Sequence, residues 1–99
     1  MESPPRGGLG PVTNADIEDH IFALLARRQP GLTICPSEVA RALVPGGGAW
    51  REHMLQIRQV AQALANGGRL QVTRGGVPVE ATAPGGPIRL GLPGAQARP

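Results

Sequence analysis

Apolar residues recur at helical spacing in the first third of the chain. One stripe of side chains falls within about 100° of arc at 3.6 residues per turn. Its members are Ile17, Ile21, Leu24, Leu25 and Arg28, the last of which places its aliphatic stem along the edge. We predict a helix that begins near Thr13 or Asn14, because either side chain can cap it. The proline and glycine of residues 29–31 end it.

Two further helices are predicted around a glycine-rich turn. The first runs from Cys35 to Leu43, with Pro36 in the first helical position, where its missing N–H costs nothing. The turn holds proline and three glycines in residues 45–48. The second helix runs from about Trp50 to Asn66. Its apolar residues follow the helical template and are Trp50, Met54, Ile57, Ala61 and Leu64.

The period changes from helical to alternating after Gly68. Leu70 and Val72 alternate with polar residues, which predicts a strand over residues 69–74. The glycine pair at 75–76 predicts a two-residue hairpin turn into a second strand. Pro78 marks that strand as an edge strand.

Two other stretches complete the predicted sheet. Ile88, Leu90 and Leu92 alternate with other residues and predict a closing strand. The short extended stretch 32–34, which lies between the first two helices, predicts a brief edge strand.

Helix, helix–turn–helix and hairpin in this order predict an α+β winged helix-turn-helix, with three helices packed on a small antiparallel β-sheet that forms the wing. The chain of 99 residues makes one domain at most. We place this domain at residues 13–92. Residues 1–12 are rich in proline and glycine without a period and are predicted to be disordered, and residues 93–99 are predicted to be a flexible tail.

The positive charge is concentrated in the second half of the chain. All ten basic residues are arginine, and the net charge is +3. Residues 1–40 hold three arginines and five acidic residues, whereas residues 41–99 hold seven arginines and two acidic residues. Such asymmetry concerns partners rather than fold. No apolar run approaches the roughly 18 residues of a membrane span, and the single cysteine fits a reducing compartment. We therefore expect a cytoplasmic protein.

Three stretches carry a resemblance to a known family. They are ICPSEVARAL at residues 34–43, Trp50-Arg51 with Met54, Arg58 and Val60-Ala61, and GGPIRL at residues 85–90. Together they resemble the bacterial family catalogued as a domain of unknown function, DUF 3253, over roughly Ala15 to Leu92. The resemblance implies a winged-helix-like fold and no activity. The turn before Trp50 is Gly-Gly-Gly-Ala where we expect a polar cap, which predicts a looser helix start.

The arginines suggest a nucleic-acid interface. Arg51, Arg58 and Gln62 lie on one flank of the predicted third helix, where they can reach base edges or phosphates in a groove. Arg69, Arg74 and Arg89 fall on the predicted strands, where a wing contacts the backbone. The first hypothesis is therefore a nucleic-acid-binding or regulatory module.

Two alternative hypotheses compete with this one. The arginines can be an ordinary solvated surface. Alternatively, the scaffold is a protein-interaction or homodimerisation module that presents Leu55 and the edge strand around 77–79, with no nucleic acid bound.

Catalytic patterns are missing from the sequence. Cys35 precedes a helix, but no spacing brings His20 or His53 to it, so neither a nucleophile nor a metal site is expected. Lysine is absent, which excludes a phosphate loop with Gly-Lys-Ser/Thr. Trp50 is expected to anchor the core, and Glu38 and Arg41 are expected to pair on the helix surface. We expect no enzyme, no cofactor and no small-molecule substrate.

Overall fold

The computed structural model describes residues 12–29 and 31–93. In this part of the chain there are three α-helices: α1 (Asn14–Arg27), α2 (Pro36–Leu43) and α3 (Met54–Asn66). A 3₁₀ turn, Trp50–His53, leads into α3. The strands are β1 (Gln71–Arg74), β2 (Val77–Pro78) and β3 (Arg89–Gly91). The predicted α+β class is confirmed, and the order of elements is compatible with a winged-helix-like fold.

The start of α1 follows from its capping residues. The Thr13 hydroxyl accepts from the Asp16 N–H, and the Asp16 carboxylate accepts from the Thr13 N–H, both at 3.0 Å. This reciprocal pair satisfies two backbone donors that the helix leaves without partners. Val12 also packs against the core, and its carbonyl accepts from Gln56 Nε2 at 3.1 Å. Val12, which the sequence assigns to the predicted disordered segment, is therefore in contact with the fold. The rest of the predicted disordered segment lies outside the described residues, as does the tail after Pro93.

The third helix begins more tightly than an α-helix does. The sequence predicts one helix from Trp50 to Asn66, but its first four residues form a 3₁₀ turn. Ala49 precedes this turn and makes no side-chain cap bond. The first main-chain N–H groups donate instead to nearby carbonyls. The main-chain N–H of Trp50 donates to the Gly48 carbonyl at 2.7 Å. A short 3₁₀ segment is a common way to begin a helix that lacks a polar cap.

The sheet is antiparallel, with β1 between β2 and β3. Gly75 and Gly76 have φ of +60° and +85°, which the twisted two-residue hairpin requires and glycine adopts without strain. The predicted edge strand at 32–34 is reduced to one residue, Ile34, whose N–H and C=O both bond Leu90 at 2.9 and 2.7 Å.

One apolar cluster joins the helices to the sheet. Its most enclosed large side chains are Ile17, Ile21, Ile34, Val39, Ile57, Ile88 and Leu90. The predicted seam of α3 is confirmed in its buried members, and Trp50 and Met54 are half-buried at the edge of the cluster. On the flank beside this seam, Arg51 and Leu55 are exposed, Leu55 by 65%, whereas Arg58 and Gln62 are half-buried.

Candidate nucleic-acid interface

An arginine–tryptophan cluster lies where the glycine turn joins α2 to the 3₁₀ turn. Arg41 is in the last turn of α2, and Arg51 follows Trp50. Their guanidinium carbons lie over the Trp50 ring, 4.7 and 4.4 Å from its centroid. Both arginines are exposed, whereas Trp50 is half-buried against the core. The ring therefore holds two positive charges at the surface through cation–π contacts. We call Arg41, Trp50 and Arg51 the Trp50 cluster.

Arg58 lies two helical turns beyond Arg51 on the same flank of α3. Its side chain is half-buried, and its Nε is enclosed without a hydrogen-bond partner among residues 12–29 and 31–93. Buried donors are nearly always paired, so this group stands out. Arg58 also takes part in no ion pair within the described chain. The exposed side chain of Leu55 lies between the two arginines along the helix.

Gln62 continues this flank, but its amide is engaged inside the protein. Its Oε1 accepts from the Ala81 N–H at 2.6 Å, and its Nε2 donates to Asn66 Oδ1 at 2.9 Å. Ala81 is fully buried, so its N–H depends on this acceptor. The structure therefore places Gln62 as a connection between α3 and the loop that follows β2.

Arg69 is held by α1 rather than by the hairpin. Its Nη1 lies 2.8 Å from Glu18 Oε2, and its guanidinium carbon lies 5.1 Å from the Phe22 ring centroid. Both partners are on α1. The side chain therefore ties the start of the sheet segment to the first helix.

Arg74, at the end of β1, supports the loop between β2 and β3. Its Nε donates to Gly86 O at 3.1 Å and its Nη2 to Ala83 O at 3.4 Å. The loop backbone passes so close that a Cβ on Gly85 would lie 2.7 Å from Arg74 Nη1. The guanidinium satisfies carbonyl groups that the irregular loop leaves without strand partners.

Arg89, on β3, binds the stretch before α2. Its Nε donates to Thr33 Oγ1 at 2.8 Å and its Nη2 to the Thr33 carbonyl at 2.9 Å. The residue lies at the sheet edge beside Ile34. Its charge is thus committed to holding this edge.

The structure divides the six predicted site residues into two groups. Arg51 and Arg58 have no hydrogen-bond or ion-pair partner in the described chain, and the other four (Gln62, Arg69, Arg74 and Arg89) are bonded within the fold. Arg41 was not predicted as a site residue, because its helical spacing predicted a pair with Glu38. In the structure Glu38 bonds Arg28 and accepts from the Cys35 N–H at 3.1 Å, which leaves Arg41 to Trp50.

Comparison with known proteins places this chain in a family. A family model described as protein of unknown function (DUF3253) matches residues 14–93. The chain belongs to the DUF3253 family. The match confirms the resemblance predicted for Ala15 to Leu92. No curated protein matches the chain.

Two further side chains that could carry chemistry in this DUF3253 chain, Cys35 and His20, contact neighbouring residues. Cys35 Sγ lies 2.9 Å from Ser37 Oγ, and His20 Nδ1 hydrogen-bonds the Asp16 carbonyl at 2.8 Å. Within residues 12–29 and 31–93, no three His, Cys, Asp or Glu side chains gather into a metal site. Every helix in this part of the chain is too short or too polar to cross a membrane. In the described residues of the helix–turn–helix, Arg41, Arg51 and Arg58 have no hydrogen-bond or ion-pair partner.

Proposed function

We propose that this DUF3253 domain binds duplex nucleic acid through Arg41, Arg51 and Arg58 on its helix–turn–helix, as a binding module rather than an enzyme. The observation that carries the proposal is the partition of the arginines. Those of the sheet segment are bonded to α1, to a loop or to Thr33, and those of the helix–turn–helix have no oxygen partner in the described residues. Charges that a fold does not use internally are available to an external anion.

The residue types on this flank suit a groove. Arginine pairs with phosphate and can bond guanine at two points, and an apolar side chain can contact the thymine methyl. Leu55 is exposed between Arg51 and Arg58. The enclosed Arg58 Nε restricts the motion of that side chain, so less entropy is lost when its guanidinium binds.

The second candidate is a protein-interaction module, and the exposure of Leu55 favours it. Association of a partner through the edge strand β2 is less favoured than association through exposed side chains. The Val79 N–H donates to the Val72 carbonyl at 3.0 Å. Pro78, the residue before it in the edge strand, has no N–H that could bond a new strand. A partner would therefore meet side chains such as Leu55 and Val77, which are 65% and 61% exposed.

Fluorescence anisotropy with a labelled random duplex of about 20 base pairs separates the two candidates. Three phosphate contacts predict a slope of about −2.7 for log affinity against log salt, so affinity falls roughly 40-fold between 50 and 200 mM salt. Arg51→Ala and Arg58→Ala should each weaken binding and reduce the slope by about one.

Arg27→Ala is the matched control. Arg27 is exposed on α1, and it has no bonded partner in the part of the chain that the structure describes. Its removal changes the net charge by the same amount but should leave the slope within error of the unmodified protein. No duplex binding at low salt, or equal losses in all three variants, would contradict the proposal.

A further inference from the structure

The Trp50 cluster carries more than exposed charge, because two guanidinium groups share one aromatic ring. We propose that Arg41 and Arg51 form a phosphate clamp, preorganised by Trp50, that grips the sugar–phosphate backbone of duplex DNA beside the groove that receives α3. This inference rests on the proposed function and names the part of the ligand that the cluster contacts.

Stacking on an aromatic ring leaves the N–H donors of a guanidinium available to a phosphate. A guanidinium over an indole is attracted by the π cloud, and its N–H donors lie in its own plane, away from the ring. Arg41 and Arg51 have their guanidinium carbons 4.7 and 4.4 Å from the centroid. A guanidinium that lies parallel to the ring can keep this contact and still offer two parallel N–H groups to a phosphate.

The ring itself is fixed by the fold. The Trp50 side chain packs against the core cluster, and the main-chain N–H of Trp50 donates to the Gly48 carbonyl. The 3₁₀ turn places Arg51 directly after it. Arg41 arrives from α2, so the clamp joins the two helices of the helix–turn–helix. A rigid platform reduces the entropy lost when two long side chains are ordered by a ligand.

The approach to the cluster is open. Residues 45–49 are all exposed, and a Cβ on Gly46 or Gly47 would meet nothing within 4 Å. The turn thus presents backbone rather than bulky side chains beside the two arginines, and a polymer backbone can come close.

No carboxylate in the described residues forms an ion pair with the clamp arginines, and this includes Glu52, which follows Arg51 in the 3₁₀ turn. Glu38, the acidic neighbour of Arg41 on α2, is bonded to Arg28 and the Cys35 N–H. Neither Arg41 nor Arg51 forms an ion pair within residues 12–29 and 31–93. Two like charges near one ring repel each other, and a phosphate bound to either guanidinium reduces that repulsion. The cluster therefore offers two guanidinium groups without ion-pair partners in the described residues to the phosphates of a nucleic-acid backbone.

The test uses variants that keep charge and remove the planar fork. Arg41→Lys and Arg51→Lys preserve the charge but not the two-point geometry, so each should weaken duplex binding about threefold with the salt slope unchanged. Arg27→Lys is the matched control and should bind as the unmodified protein does. Trp50→Leu keeps both arginines and removes their platform, so it should also weaken duplex binding. Its affinity is corrected for the folded fraction measured by circular dichroism.

A second readout follows the ring directly. Trp50 is the sole tryptophan of the chain, so intrinsic emission reports on this cluster alone. Titration with duplex should change the emission with the same midpoint as anisotropy, and a single strand of equal length should bind more weakly. If duplex binds while the lysine variants and the emission stay unchanged, the clamp is wrong and the proposed function stands. Tighter binding of the single strand would overturn the duplex assignment. No binding of either strand form would remove the proposed function and the clamp together.

Discussion

Arg89 holds Thr33 through two hydrogen bonds, one to the hydroxyl at 2.8 Å and one to the main-chain carbonyl at 2.9 Å. The two residues lie 56 positions apart in the chain. The pair joins β3 to the stretch before α2, at the edge where Ile34 bonds Leu90. It also occupies a carbonyl that a foreign strand could otherwise use. An arginine that looks like a ligand contact in the sequence is thus a connection within the fold.

Arg89→Ala should therefore lower stability rather than binding. We expect a loss of about 1–2 kcal/mol in the free energy of unfolding, because two charge-assisted bonds disappear at a partly exposed site. Urea denaturation measures this. Thr33→Val keeps the carbonyl bond and should cost about half as much. A stable Arg89→Ala variant with a reduced salt slope for duplex binding would assign Arg89 to the interface instead.

Gln62 offers a similar test on α3. Gln62→Ala leaves the buried Ala81 N–H without its acceptor, so we expect a loss of about 1–3 kcal/mol. Gln62→Glu retains an oxygen at that position and should recover most of the stability. If the alanine variant unfolds at the same urea concentration as the unmodified protein, the bond to Ala81 has no structural weight.

The close contact between Gly85 and Arg74 predicts an unequal pair of glycine substitutions. Gly85 has φ of +140°, and an added Cβ would lie 2.7 Å from Arg74 Nη1. Gly85→Ala should therefore cost about 1–3 kcal/mol through backbone strain and displacement of the guanidinium. Gly86→Ala is the control, because its Cβ would meet nothing within 4 Å. Equal melting temperatures for the two variants would contradict the described loop geometry.

Leu55→Glu separates the binding module from a dimer. The side chain is 65% exposed, so the change should alter stability by no more than about 0.5 kcal/mol. The added carboxylate should weaken duplex binding because it lies between Arg51 and Arg58. Sedimentation equilibrium is the second measurement. A dimer of the unmodified protein that Leu55→Glu dissociates would favour the protein-interaction candidate.

Much of the fold follows from local patterns. The capping box at Thr13, the helical spacing of Ile17 and Ile21, and the glycine pair at 75–76 act over a few residues. Each element they predict is present. The missing polar cap predicted a looser start for the third helix, but the 3₁₀ turn found there was not predicted. The apolar spacing of Trp50 and Met54 continues through the turn and does not report on hydrogen-bond pattern.

The site could be predicted only in part, because arginine partners are set by tertiary contacts. Arg69 meets Glu18, and Arg89 meets Thr33, across roughly half the chain. Arg41 was assigned to Glu38 by helical spacing, but Glu38 is bonded by Arg28, the residue that caps the end of α1. Local spacing cannot rank two arginines that compete for one carboxylate when one of them comes from another helix.

Nuclear magnetic resonance mapping of a duplex titration at low salt tests most directly whether the helix–turn–helix arginines, rather than those of the sheet, meet nucleic acid. With ¹⁵N-labelled protein, we expect the largest shift changes in residues 41–58, including the Trp50 indole N–H and the Arg58 Nε–H. The Nε–H signals of Arg74 and Arg89 should move little, because both are bonded to internal oxygens. Larger changes in residues 71–78 and at Arg89 than in residues 41–58 would contradict the proposed interface.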